Sequence, residues 1–195
     1  MRSNEKPPAW PGPGGFQLFH HRWSVPILAE LHRLGGAKFV TLAKRLGVSR
    51  SVLTTTLERL VAAGLVARNP GQGHPLRPEY LLTEAGRRLG PFCVDVVEGA
   101  RVGQQDELLR SKWALPIQFT IRRQGRRFSE IERDLAGITP RALSQELKQL
   151  RESGLVRRTL IDGFPPITLY ELTPKGRPLA DLFEKHRGRV APHCT

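Results

Sequence analysis

"GVSRSVLTTTLERLVAAGLVAR", residues 47–68, and "GITPRALSQELKQLRESGLVRR", residues 137–158, carry one pattern 90 positions apart. Gly47, Leu53, Leu57, Leu60, Gly64, Leu65, Val66 and Arg68 fall on Gly137, Leu143, Leu147, Leu150, Gly154, Leu155, Val156 and Arg158. Leucines spaced by four and three residues lie on one face of a helix. Ser49 and Thr139 suit the N-cap, and Pro140 suits the first helical position, where its missing N–H is harmless. Gly64 and Gly154 suit the stop. A tight glycine turn, a helix with one apolar stripe and an abrupt end are therefore written twice.

The match extends outward in both directions. Trp23, Pro26 and Ile27 fall on Trp113, Pro116 and Ile117, and "YLLTEAGRRL" from Tyr80 lies over "YELTPKGRPL" from Tyr170. This is a duplication, and a missed duplication would misread the fold. We expect domains at residues 20–92 and 111–184. A flexible Pro- and Gly-rich tail at 1–19 precedes them, a helical connector at 93–110 joins them with a break near Gly99–Gly103, and a C-terminal tail follows at 185–195.

Each copy runs through the same order. A first helix (residues 22–34; 112–124) ends at Gly35 or Gly125. A short second helix follows, "FVTLAKRL" or "FSEIERDL", and then the turn and the third helix. "LVARN" with "EYLLT", and "LVRRTLI" with "LYELT", read as two-stranded hairpins around "PGQGHPLRP" and "DGFPP". Thr83 and Thr173 cap a last helix. The expected fold is mainly α with small β-hairpins (α+β): two tandem winged helix-turn-helix domains packed as a pseudo-dimer.

Copy two, "KWALPI…RRFSEIERDLAGITPRALSQELKQLRESGLVRRTLIDGFPPITLYELTPKGRPLADLF", resembles the HxlR-type branch of bacterial winged-helix regulators over its whole length. Copy one resembles it more loosely. The resemblance implies a transcription regulator whose relatives usually carry one such domain and dimerise, the first helix helping to build the interface. It therefore implies that Trp23 and Trp113 pack near the contact between the repeats. The cysteine that thiol-sensing relatives carry ahead of the first helix precedes neither tryptophan.

Charge points the same way. Thirty-one Lys and Arg against 18 Asp and Glu leave +13, with a pI near 10.9. Such a field calls for a polyanion partner. Residues 20–92 hold 11 basic and four acidic side chains, and residues 111–183 hold 13 and eight, so both copies are basic. No apolar run approaches the roughly 20 residues of a membrane span, and the N-terminus does not read as a signal peptide, so a cytoplasmic location is expected. Cys93 and Cys194 are not spaced like metal ligands; Cys93 reads as a small helix residue and Cys194 as exposed.

A recognition helix buries one stripe and offers the other to the major groove. In copy one the outward residues are Ser49, Arg50, Ser51, Thr54, Thr55 and Arg59. In copy two they are Thr139, Pro140, Arg141, Ser144, Gln145 and Lys148. Arg can clamp guanine and Gln can read adenine. Arg68, His74 and Arg77 on the first wing, and Arg157 and Arg158 on the second, suit phosphate or the minor groove. Tyr80 and Tyr170 read as core.

The reading that absorbs these features is sequence-specific binding of a double-stranded DNA operator, one recognition helix per half-site, with repression as the expected outcome. The rival is a protein–protein adaptor whose DNA binding is non-specific or lost. An enzyme is disfavoured, since no phosphate loop, metal cluster or nucleophile–base pair is evident. No cofactor and no metal is expected, and any effector is unknown. The chain would act as a monomeric pseudo-dimer, or as a homodimer with four heads.

Overall fold

Three glycines in the left-handed region punctuate the first copy and set its order. Gly35 (φ 67°) ends α1 (Ser24–Leu34), Gly47 (φ 60°) ends α2 (Phe39–Leu46), and Gly64 (φ 67°) follows α3 (Arg50–Ala62). A side chain at such a φ is strained, which is why glycine recurs there. The computed structural model describes residues 15–69, 79–164 and 166–190. Beyond α3 come β2 (Val66–Asn69), β3 (Glu79–Leu82) and α4 (Glu84–Val102). Copy two repeats the series as α5 (Ala114–Thr120), α6 (Phe128–Asp134), α7 (Pro140–Glu152), β4 (Val156–Ile161), β5 (Ile167–Leu172) and α8 (Arg177–Val190). Gly137 (φ 87°) and Gly154 (φ 71°) bracket α7 as their counterparts bracket α3.

The leucine stripes do what their spacing predicts. Leu53, Leu57 and Leu60, and Leu143, Leu147 and Leu150, are all buried. Thr139 caps α7 by accepting the Ala142 N–H at 3.2 Å. Ser49 occupies the matching position but makes no side-chain cap; its hydroxyl lies 3.4 Å from that of Ser51.

Several expectations need correction. Copy one holds three strands, not two: β1 (Ala37–Lys38) adds to the hairpin in the order β1–β3–β2, pairing Ala37 with Tyr80. In copy two the same place holds a single bridge, Arg126 to Tyr170. α5 stops at Thr120, short of the expected residue 124, and Gly125 is not its cap. A Cβ on Gly125 would stand 2.7 Å from Glu171 Cγ, so this glycine serves the close approach of the chain to β5.

The connector also differs. α4 runs unbroken from Glu84 to Val102, so the boundary at residues 92–93 falls inside a helix, and the turn comes at Gly103 and Gln104 (φ 52°). Gly99 lies within this helix where α8 comes close: a Cβ there would meet Leu179 Cδ2 at 3.0 Å. A 3₁₀ helix (Asp106–Arg110) then leads into copy two. At the ends, residues 15–20 form a 3₁₀ helix with Phe19 buried, and α8 extends through residues 185–190 with His186 buried. Apolar contact, not composition, decides those two segments. Residues 1–14 and 191–195, with Cys194, lie outside the described residues.

The two copies share one core. Phe19 of copy one packs against Phe92 (ring centroids 6.3 Å apart) and against Phe119 (5.6 Å) and Phe183 (6.3 Å) of copy two. Phe92 on α4 meets Phe183 on α8 edge-on at 5.0 Å. At the rim Asp95 Oδ2 accepts hydrogen bonds from Lys185 Nζ (2.7 Å) and His186 Nε2 (2.8 Å), and Gln105 Nε2 donates to the Lys175 carbonyl (3.1 Å).

Candidate nucleic-acid interface

Burying Leu143, Leu147 and Leu150 obliges the rest of α7 to face solvent. Pro140, Arg141, Ser144, Gln145 and Lys148 are all exposed, with Thr139 at the cap. α3 does the same with Arg50, Ser51, Thr54, Thr55 and Arg59, preceded by exposed Ser49. Thr56, by contrast, turns inward and donates its hydroxyl to the Val52 carbonyl at 2.8 Å. Each helix thus presents a polar face about three turns long, with the cationic side chains spread from its N-terminal end to its last turn.

The wings stand beside these faces. β4 and β5 pair in six steps from Val156↔Leu172 to Ile161↔Ile167. Arg157 donates to Glu171 at 3.0 Å, and Arg158 reaches the Thr168 hydroxyl at 3.4 Å. Of the two, then, it is Arg157 that takes a local carboxylate; both remain exposed. An open cleft of about 510 Å³ lies between α7 and the root of this wing, lined by Lys148, Arg151, Glu152, Val156, Arg157 and Arg158. Arg151 had no place among the sequence candidates, because helical spacing alone does not show which late residues of α7 face the wing. In copy one Arg68 is exposed on β2, opposite Tyr80; His74 and Arg77 lie outside the described residues.

A further pair of contacts was invisible to spacing. His21, just ahead of α1, has its Nδ1 3.0 Å from Arg59 Nη1 on α3. At the equivalent position in copy two, Ser111 donates its hydroxyl to Glu146 Oε1 on α7 at 2.7 Å and accepts the Trp113 and Ala114 N–H groups. The residue before the first helix therefore ties down the third helix in both copies, by different chemistry. Burial, then the charges of Arg59 and Lys112, lower the His21 pKa. Burial, then Lys112 and His21, lower that of His20. Burial raises the Glu146 pKa against the opposing Ser111 hydrogen bond.

The tryptophans are not equivalent. Trp113 is buried, with the His20 ring of the other copy at 5.3 Å and Lys112 over its face at 4.6 Å. Trp23 stays half-buried under the Arg22 guanidinium (4.9 Å). Tyr80 is buried and Tyr170 half-buried. Burial pushes the Cys93 thiol up to about 12, the behaviour of an inert core residue.

The family model described as HxlR-like helix-turn-helix matches residues 18–102 and, separately, residues 108–188. The chain belongs to the HxlR-like helix-turn-helix family. It carries that family's unit twice, each match ending near the close of the long last helix. Among the relatives of this HxlR-like chain is an uncharacterized HTH-type transcriptional regulator, YvaP, from Bacillus subtilis. It is 38% identical over 76 residues, which span 39% of this chain and 70% of the relative. Another, from Mycobacterium tuberculosis, is 44% identical over 73 residues, covering 37% of this chain and 46% of its own. Solved structures that align with it include diamide-treated YodB from Bacillus subtilis, at 27% identity and TM-score 0.37, over 46% of this chain and 88% of that one. Wild-type MarR from Escherichia coli aligns at 20% identity and TM-score 0.35, over 72% and 88%.

Proposed function

We propose that this HxlR-like protein is a DNA-binding transcription regulator that reads a double-stranded operator with two unlike heads on one chain. The observation that carries the reading is the pair of solvent-facing polar faces on α3 and α7, each beside a basic wing and each anchored from the residue before the first helix. Arg141 and Gln145 have the side chains that read guanine and adenine edges; Thr54 and Thr55 suit thymine methyls or phosphate. Since "SRSVLTTTLER" and "TPRALSQELKQ" differ, the two half-sites differ, and the operator is at most an imperfect palindrome. Half-site centres lie about one duplex turn apart, roughly 34 Å. No helix among the described residues is long and apolar enough to cross a membrane. Action in the cytoplasm, as a repressor that blocks polymerase, is the form of the proposal we favour.

The test is selection of duplexes from a random pool by the full chain, followed by footprinting and solution mass. A footprint of about 20 base pairs bound by a monomer is expected, and about 40 base pairs bound by a dimer would refute the pseudo-dimer. On the selected duplex, Arg141→Ala should weaken binding by about 1–3 kcal/mol and relax specificity at one position. Lys148→Ala should lower the salt slope of log K by about one. Absence of any binding at low salt would favour an adaptor.

A further inference from the structure

The two wings are unlike in sequence, and the second ends in apolar side chains left exposed among the described residues. Phe164 is fully exposed at the turn, and Leu160 and Ile161 just before it are 61% and 45% exposed. Burying such side chains is favourable and leaving them in water is not, so a cluster at a hairpin tip marks a contact surface. The loop of the first wing, "PGQGHPLRP" at residues 70–78, contains no phenylalanine, tyrosine or tryptophan.

What meets this tip is indicated by what surrounds it. The strands that carry it also carry exposed Arg157 and Arg158, with Glu171 paired to Arg157 and Asp162 exposed beside the tip, and the cleft at its root is lined by the two arginines with Lys148, Arg151 and Glu152. A basic cleft at the root of an apolar point complements a polyanion with apolar planes inside it, the description of a nucleic-acid duplex. Reach agrees. The six-residue strand spans about 17 Å from Val156 to Ile161, at about 3.4 Å per residue. With α7 in a major groove about 12 Å wide, that length carries the tip across the flanking phosphate strand. The basic cleft then holds that strand, and the tip stands at the adjacent minor groove.

We propose that Phe164 at the tip, with Leu160 and Ile161 on the two faces of the hairpin behind it, forms an apolar wedge on the second wing that enters the minor groove beside the copy-two half-site and unstacks one base step. Apolar wedges of this kind kink the duplex toward the major groove, most readily at flexible pyrimidine–purine steps. The wedge would make a deformable step beside the copy-two half-site part of the operator. It rests on the DNA-binding reading above.

The full chain and a duplex it selects from a random pool, with 2-aminopurine placed in turn at each step flanking the copy-two half-site, provide the test. Binding should raise the fluorescence at one step of that flank. Phe164→Ala should abolish the rise and weaken binding by roughly five- to a hundredfold, the scale of one lost aromatic–base stack. Its salt slope should match the parent's, since no charge is removed, whereas Arg158→Ala should lower the slope by about one. Phe164→Trp should retain the fluorescence signal. Unchanged melting of Phe164→Ala establishes that the exposed substitution leaves the fold intact. A parent that binds tightly with no unstacked step, or a Phe164→Ala chain that binds as well as the parent, overturns the wedge and leaves the DNA-binding reading standing. A Phe164→Ala chain that loses self-association instead of affinity for the duplex assigns the tip to a second copy and likewise overturns it. Failure of the parent to select any duplex, even at low salt, defeats the underlying reading itself.

Discussion

At Gly86 and Gly176 the space for a single methyl group sets how closely a helix can approach the strand before it. A Cβ on Gly86 would stand 2.1 Å from the Leu65 carbonyl oxygen, and one on Gly176 would stand 2.2 Å from that of Leu155. In both, the obstacle is backbone, which cannot rotate aside as a side chain would. The nearby Thr83 and Thr173 hydroxyls donate to Gly64 (2.6 Å) and Gly154 (2.7 Å) and accept the Gly86 and Gly176 N–H groups, so the helix start is held from both sides. This explains why "LT..G" recurs at the end of each copy. Gly86→Ala and Gly176→Ala should each destabilise the chain by about 1–3 kcal/mol, as overpacking does. Thermal melting should register a drop of about 2–4 °C per kcal/mol for a chain of this size. An alanine variant that melted with the parent would show that the last helix of that copy is free to shift.

At the scale of the element, α8 is held onto the end of α5 by one carboxylate. Glu184 accepts from Arg122 Nε at 2.9 Å, Arg123 Nε at 3.1 Å and Arg123 Nη2 at 3.1 Å. Hydrogen bonds from Arg123 foremost, outweighing burial, and then from Arg122 bring its pKa down to about 2. A pKa depressed in the folded state stabilises above the unfolded value of about 4.3, and that stability disappears as pH falls toward 2. Because Glu184 is about two-fifths exposed (39%), the gain is screened to roughly 1 kcal/mol. Glu184→Gln should therefore melt below the parent at pH 7, and the gap should close between about pH 4 and pH 2. A gap that persisted at pH 2 would assign the effect to packing.

Elements were legible in the sequence where local rules govern them: the leucine stripes, the glycine stops and the Thr139 cap all follow from spacing and cap chemistry. What was not legible depends on residues distant in sequence. His21 meets Arg59 across 38 positions and Ser111 meets Glu146 across 35, and no helical period encodes either. Gly99 inside α4 makes room for α8, whose Leu179 lies 80 residues on, so it reads as a break only when that neighbour is unknown. The polar faces of α3 and α7 were legible as soon as the stripes were.

For the whole molecule, the seam between the copies decides whether two heads behave as one body. Its centre is aromatic: Phe92 from α4 and Phe183 from α8 meet at 5.0 Å, with Phe19 and Phe119 beside them. Its rim is polar, with Asp95 held by Lys185 and His186 across the copies. Burial, which alone would raise it, is outweighed by those two hydrogen bonds, so the Asp95 pKa lies below the ordinary carboxylate value. His186 is 4% exposed; its Nε2 meets Asp95 at 2.8 Å, its ring lies 5.8 Å from Phe92, and its Nδ1 has no hydrogen-bond partner among the described residues. A core continuous across both copies should unfold as a single unit, and calorimetry of the full chain should show one transition whose van't Hoff and calorimetric enthalpies agree. Phe183→Ala removes a large side chain from the middle of that seam, at a loss of about 3–5 kcal/mol. Because the missing ring contacts both copies, the loss falls on the coupling between them as well as on copy two. The expected result is a lower and divided transition, whereas Leu143→Ala, in the interior of copy two, should lower stability without comparable separation. Two transitions in the parent would mean that the heads unfold separately and that the seam couples them only weakly.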